Sequence, residues 1–195
     1  MATTRDYVFI TRWRVEASIE EVSDILDDAP SLPRWWPSVY LDVRELAPGG
    51  AGGVGRVIEL FTKGWLPYTL RWSFVVTESN RPHGFSLQAS GDLVGSGVWT
   101  LTQDGPIADI VYDWRVRADK PILRYGSFIF KPIFAANHRW AMARGEESLK
   151  LEIQRRHART PAELAAVAPP PPATFVRRGL RTTRGSARPG GFEGA

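Results

Sequence analysis

The sequence contains no cysteine. This absence excludes disulfides, cysteine-ligated zinc, iron–sulfur clusters and a cysteine nucleophile, and it fits a reducing compartment. Histidine is scarce too: His83, His138 and His157 lie far apart with no carboxylate at ligand spacing, so we expect no metal site. The chain also lacks an apolar stretch as long as a signal peptide or a membrane span. We therefore expect a cytoplasmic protein.

Excess positive charge is confined to the C-terminal part of the chain. The net charge is +4, and the arginines and glutamates of residues 159–195 account for all of it. This segment also holds the run Pro169–Pro172 and few apolar side chains, a composition typical of disorder. We therefore divide the chain into a folded domain, 1–158, and a disordered tail, 159–195. The tail arginines could touch nucleic acid or an anionic membrane, but without interleaved aromatic residues we expect a solvated tail.

Seven segments alternate apolar and polar residues with the period of two that is typical of β-strands. Short turns rich in glycine and proline join them, which predicts an antiparallel meander. The predicted strands are Tyr7–Glu16, Tyr40–Leu46, Arg56–Phe61, Thr69–Ser79, Gly84–Leu93, Gly97–Gln103 and Ala108–Ala118.

Helical signals appear in two places. After the first strand, Ser18 and Glu21 have the spacing of a capping box, and the prolines that follow predict two short helices up to Trp35-Trp36. After Pro121 the period becomes helical, with one apolar face that carries Leu123, Phe134, His138, Ala141, Met142, Gly145 and Leu149.

The second signal predicts a long C-terminal helix over Ile133–His157. Because proline cannot donate a backbone hydrogen bond, Pro132 should kink or interrupt the helix, with a shorter piece before it. A glycine inside a helix costs about 1 kcal/mol relative to alanine. The position of Gly145 on the apolar face therefore indicates close contact with the sheet or with a ligand.

The order of one strand, two short helices, six strands and one long helix resembles the START-like superfamily, also called SRPBCC or helix-grip. The segments that carry the resemblance are similar to its bacterial polyketide cyclase/dehydrase and lipid-transport-like branch: Val15–Val22, Trp35–Pro37, Gly91–Leu93, Gly97–Leu101, Val111–Val116, Asn137–Met142 and Gly145–Leu149. The resemblance covers about residues 5–157 and implies an α+β fold. It implies a curved antiparallel sheet of about seven strands around the C-terminal helix. Because the branch contains carriers as well as enzymes, it implies no single reaction.

Aromatic side chains crowd the strand faces that we assign to the interior: Phe9, Trp13, Trp72, Phe74, Trp99, Tyr112 and Trp114. A fully packed core rarely holds so many indoles, since each buried N–H needs a partner. We therefore favour a ligand cavity over an ordinary core, closed on the helix side by Phe134, His138 and Met142. The leading hypothesis is a protein that binds, and in one version carries, a small hydrophobic or polyaromatic molecule such as a lipid or polyketide.

Two other functions stay open. One is polyketide cyclase or dehydratase chemistry, with His138, Tyr112 or Tyr125 as proton-transfer groups. His138 is otherwise a buried neutral histidine with a structural role. The other is a protein-interaction module that uses Trp35 and Trp36 at the cavity mouth.

The segment Gly50–Gly55 matches the glycine spacing of dinucleotide sites. It precedes a strand instead of a helix, so no helix N-terminus is available for a pyrophosphate. We expect a flexible hairpin at the mouth of the cavity, and neither a nucleotide nor another cofactor.

Overall fold

Seven strands form one antiparallel sheet. The computed structural model of the protein describes residues 7–118 and 127–174. The strands are β1 (Tyr7–Glu16), β2 (Tyr40–Ala47), β3 (Val57–Lys63), β4 (Thr69–Ser79), β5 (Gly84–Gly91), β6 (Leu93–Asp104) and β7 (Ile107–Ala118). Their order across the sheet is β1-β7-β6-β5-β4-β3-β2, so only β1 and β7 pair without being consecutive in the chain.

The boundary between β5 and β6 differs from the prediction. β6 begins at Leu93 and not at Gly97, because the chain already reverses at Gly91, whose φ of 104° favours glycine. The carboxylate of Asp92 accepts a hydrogen bond from the Arg71 backbone N–H at 2.7 Å. This bond fixes the reversal against β4.

The two short helices after β1 are α1 (Ile19–Asp27) and α2 (Leu32–Trp35). Ser18 caps α1 as predicted, since its Oγ accepts from the Glu21 N–H at 3.2 Å. The Gln103 side chain accepts from the Ile19 N–H at 2.8 Å and donates to the Ala17 carbonyl at 3.2 Å. It thereby joins the start of α1 to the end of β6.

The long helix α3 (Ser127–His157) contains Pro132 without being divided there. The predicted separate piece before Pro132 was wrong. The first four N–H groups of any helix lack a helical acceptor. Pro132 lies just beyond them, so the helix loses one bond near its end and continues. Leu123, predicted to lie on the same face, is outside the described residues.

A bidentate ion pair joins α2 to α3. Both guanidinium NH2 groups of Arg34 donate to the Glu152 carboxylate at 2.7 Å, and Arg156 adds a bond at 3.3 Å. Glu152 is buried. Burial raises its pKa, but the hydrogen bonds and charges of Arg34 and Arg156 outweigh that effect and lower it overall.

The inner face of the sheet and the three helices enclose one apolar core. Its most deeply buried large members are Trp13, Val15, Val22, Ile25, Trp35, Ile58, Leu60, Leu101, Ile110 and Leu149. A seven-stranded antiparallel sheet around one long helix confirms the predicted α+β helix-grip architecture. No helix in the described part of the chain is long and apolar enough to cross a membrane.

Residues 159–174 have defined structure where disorder was expected. A short helix, α4 (Pro161–Ala166), begins with a capping box: the Glu163 N–H donates to Thr160 Oγ1 at 3.2 Å, and the Thr160 N–H donates to the Glu163 carboxylate at 3.1 Å. The chain then extends to Thr174, whose hydroxyl donates to the Gly64 carbonyl at 3.3 Å. Residues 175–195 lie outside the described part, and a domain boundary at 158 stays a prediction.

Gly145 does make a close contact, but its partner is Trp36, which lies between α2 and β2 and belongs neither to the sheet nor to a ligand. Gly145 is buried, and a Cβ built on it would overlap the six-membered ring of the Trp36 indole. Trp36 itself is only 3% exposed. The missing side chain therefore sets how closely α3 approaches the segment between α2 and β2.

We expect Gly145→Ala to lower the free energy of unfolding by about 1–3 kcal/mol, the usual cost of overpacking, despite the better helix propensity of alanine. Urea unfolding measures the change. Trp36→Phe removes the ring atoms that the Cβ would meet, so Gly145→Ala should cost less in that background. A Gly145→Ala variant about 1 kcal/mol more stable than the parent would contradict the contact.

Candidate functional site

One cavity lies between the sheet and α3, with a volume of about 100 Å³. Its walls come from β1, β3, β4, β7, the start of β6, the segment around β2 and the α3 face. The lining residues are Phe9, Trp36, Val39, Tyr40, Thr62, Lys63, Gly64, Leu70, Leu93, Tyr112, Trp114, Phe134, Asn137, His138, Ala141 and Met142. We refer to this space as the main cavity.

The sequence placed ten residues at the cavity, and six of them line it: Phe9, Tyr112, Trp114, Phe134, His138 and Met142. The other four, Trp13, Trp72, Phe74 and Trp99, are buried but do not line it. Trp13 packs on Trp36 and on Trp99, with ring centroids 5.5 Å apart in each pair. The indole N–H of Trp72 donates to Thr62 Oγ1 at 3.0 Å. These four residues are therefore part of the packed core, which was the alternative to a ligand cavity.

Tyr112 lies within a stack of aromatic rings on the sheet. Its ring centroid is 4.0 Å from that of Trp99 and 5.6 Å from that of Trp114, and both pairs are nearly parallel. Burial, with a smaller contribution from Tyr40, raises the pKa of Tyr112 well above its usual value. Burial also raises the pKa of Tyr40. Both phenols are therefore protonated at neutral pH.

His138 projects from α3 onto β1, where its ring stacks on Phe9 with 4.1 Å between centroids. Burial, and then the charge of Arg139, lowers the pKa of His138 to about 4. The imidazole is therefore neutral at pH 7. Its Nε2 is buried and has no hydrogen-bond partner in the described part of the chain. A ligand or an ordered water would supply the missing bond.

Asn137, beside His138, was not predicted as a site residue. Its Oδ1 accepts from the Trp65 N–H at 2.9 Å and from the Leu66 N–H at 3.4 Å. A Cβ on Gly64 would overlap the Asn137 side chain. Asn137 thus holds residues 64–68, which we call the β3–β4 loop, against the start of α3 at the edge of the main cavity.

Lys63 is the second residue that the sequence did not reveal. It lies at the end of β3, is only 5% exposed and lines the main cavity. Burial lowers its pKa. No signal in the sequence pointed to Lys63. Strand alternation puts Leu60 and Thr62 on the inner face of β3 and therefore predicts that Lys63 faces outward.

The glycine segment Gly50–Gly55 lies away from the main cavity, which none of its residues lines. It borders a separate, open concavity of about 310 Å³ together with Arg56 and Arg81. Arg56 donates to the Asp27 carbonyl and to the Glu45 carboxylate, and Arg81 pairs with Asp24 and Asp27. The expectation that this hairpin sits at the cavity mouth was wrong, because β2 and β3 carry it to the other end of the sheet.

Other predicted features can also be located. Trp35 and Trp36 are buried, at 0% and 3% exposure, and so offer no surface to a protein partner. Among the described residues, no group of three or more candidate ligands could hold a metal ion. Tyr125 lies outside them.

The sequence matches no protein-family model and no curated protein. Solved structures do resemble it. An aromatase/cyclase from Streptomyces sp. R1128 matches with a TM-score of 0.61 and 17% identity, over 79% of this chain and 97% of that one. A START superfamily protein from Mycobacterium smegmatis matches with a TM-score of 0.58 and 17% identity, over 76% and 98%.

A norcoclaurine synthase from Thalictrum flavum, solved with a transition-state analogue, matches with a TM-score of 0.54 and 17% identity, over 78% of this chain and 99% of that one. At such identities the likeness concerns the fold and not the activity. The order of strands, the long helix and these neighbours agree: the chain has the helix-grip fold of START-like proteins.

Proposed function

We propose that the protein binds a small hydrophobic molecule in the main cavity. The observation that carries the proposal is the cavity itself, about 100 Å³ of space between the sheet and α3 that is partly open to solvent. Leu70, Leu93 and Met142 contribute aliphatic surface to its wall. A small apolar ligand in this space would remove that surface from water, which favours binding.

The size of the cavity limits the ligand. An engineered apolar cavity of about 150 Å³ binds benzene, and pockets for drug-sized molecules span about 300–1,000 Å³. A molecule of about one ring fits the present space. A lipid or polyketide would require the cavity to widen. The β3–β4 loop is joined to α3 by the hydrogen bonds of Asn137, so its displacement is one way to widen it.

We favour binding over catalysis because of the pKa shifts of His138 and Tyr112, the two candidate proton-transfer residues within the described part of the chain. General acid–base catalysts work best with pKa values near the working pH. The pKa of His138 is lowered to about 4 and that of Tyr112 is raised far above 10. The histidine is thus a weak base and the tyrosine a weak acid. Cyclase or dehydratase chemistry by this pair has no support from their electrostatics.

Binding can be tested with toluene as the probe and with one variant that fills the cavity. Ala141 lines the cavity on α3, whereas Ala143 on the same helix is exposed. Toluene should bind the parent saturably and raise its Tm. Ala141→Phe should weaken binding at least about tenfold because the ring occupies the space, and Ala143→Phe should not. Toluene binding that survives Ala141→Phe would place the ligand elsewhere.

His138 should contribute one hydrogen bond to a polar ligand. We expect His138→Asn to weaken the binding of phenol by about 5- to 150-fold, the worth of a buried hydrogen bond, and to leave toluene binding nearly unchanged. Because the imidazole titrates near pH 4, phenol affinity should not change between pH 6 and 8. The exposed His83 provides the control, His83→Asn.

Isothermal titration measures both affinities. Equal loss for phenol and toluene would show that the substitution alters the cavity as a whole. No loss for either, in a folded variant, would remove His138 from the binding account.

A further inference from the structure

The segment that follows α4 returns along α3 to the main cavity. Near the C-terminal end of α3, the Arg155 guanidinium donates to the Ala168 carbonyl. Six residues later, the Thr174 hydroxyl donates to the Gly64 carbonyl at 3.3 Å. Gly64 lines the main cavity. Residues 167–174, which we call the strap, therefore connect the end of α3 to a wall of the candidate site.

The composition of the strap favours an extended conformation. Each proline holds φ near −65° and disfavours the helical region for the residue before it, so the run Pro169–Pro172 cannot coil into an α-helix. A polyproline II segment rises about 3.1 Å per residue, so the strap spans about 19 Å between residues 168 and 174. Because the prolines already restrict this chain before it docks, docking costs little conformational entropy.

Burial along the strap follows the period of a polyproline helix. Val167, Pro170 and Ala173, at every third position, are half-buried, as is Pro171, and the other strap residues are exposed. Polyproline II has three residues per turn, so the repeated positions form one edge. The Arg155 NH1 group, next to the bond to the strap, is buried too. The strap therefore lies on the folded domain along its whole length.

The far end of the strap meets the β3–β4 loop where α3 also holds it. Asn137 accepts from the Trp65 and Leu66 N–H groups, and a Cβ on Gly64 would overlap its side chain. Thr174 adds a bond to the Gly64 carbonyl. Thr174 is exposed and Gly64 is buried, so the strap side of this contact can open to water first.

We propose that the strap keeps the β3–β4 loop closed and thereby slows the passage of ligands into and out of the main cavity. This inference rests on the proposed function and adds the regulation of that site. None of residues 167–174 lines the cavity. The strap therefore stabilises the closed loop equally with and without a ligand, and it affects the rates of binding more than the affinity.

Two full-length variants loosen the strap and leave every lining residue in place. Thr174→Val removes the hydroxyl and keeps the shape of the side chain, and Pro170→Gly combined with Pro171→Gly removes the stiffness of the run. With toluene as the probe, NMR exchange measurements give both rate constants. Thr174→Val should raise association and dissociation each about 2- to 10-fold, the worth of one neutral hydrogen bond, with Kd nearly unchanged. The double glycine variant should act in the same direction, and Thr77→Val, at an exposed position on β4, should change neither rate.

Hydrogen exchange of the Trp65 and Leu66 amides follows the loop without any ligand. Both amides should exchange faster in Thr174→Val by about the same factor as the toluene rates. Unchanged exchange would show that the strap does not hold the loop, and faster exchange with unchanged toluene rates would show that ligands pass elsewhere. Either result overturns the inference and leaves binding intact. Failure of toluene to bind the parent would overturn the proposed function and this inference with it.

Discussion

The contact between Gly145 and Trp36 determines the geometry on which the site depends. The indole ring fills the place of a side chain on α3, and it also packs on Trp13, Trp35 and Tyr40, with ring centroids 5.1–5.6 Å apart. The distance between helix and sheet is therefore set by one aromatic ring. Trp36 at the same time lines the main cavity, so the residue that brings the helix close also limits the space that remains.

The main cavity lies toward one end of the sheet because the aromatic residues are unevenly distributed. Toward one end, Trp13 and Trp99 meet each other and fill the region between sheet and helix. Toward the other, Phe9 stacks on the rings of His138 and Tyr7, and the wall is completed by the β3–β4 loop that Asn137 holds. The cavity is thus lined by apolar surface with a few polar groups, the usual composition of a small-molecule site.

The strands and the long helix could be predicted from the sequence because each has a regular period. The same reasoning recognised Gly145, since a glycine on an apolar helical face has a cost that needs an explanation. It overlooked the capping box of Thr160 and Glu163, although Ser18 and Glu21 have the same pattern, because the surrounding prolines and arginines dominated the composition. The composition of a long segment does not reveal a capping box, because the cap depends on two residues only.

The cavity residues were harder to predict than the fold. Alternation identifies which residues face inward, but not which of them meet across the core, so Trp13, Trp72, Phe74 and Trp99 were assigned to the cavity with the true wall residues. Lys63 and Asn137 depend on the path of the β3–β4 loop, which follows from no period in the sequence. The place of these two residues at the cavity became visible only when the strand ends were located in three dimensions.

The most direct measurement of the central claim is an NMR titration of the indole N–H resonances with toluene. The chain has eight tryptophans, of which Trp36 and Trp114 line the main cavity and Trp65 and Trp140 do not. A ligand between sheet and helix should shift the Trp36 and Trp114 resonances most, because aromatic ring currents act over short distances. Shifts confined to Trp65 and Trp140 would place the ligand on the surface and contradict the account.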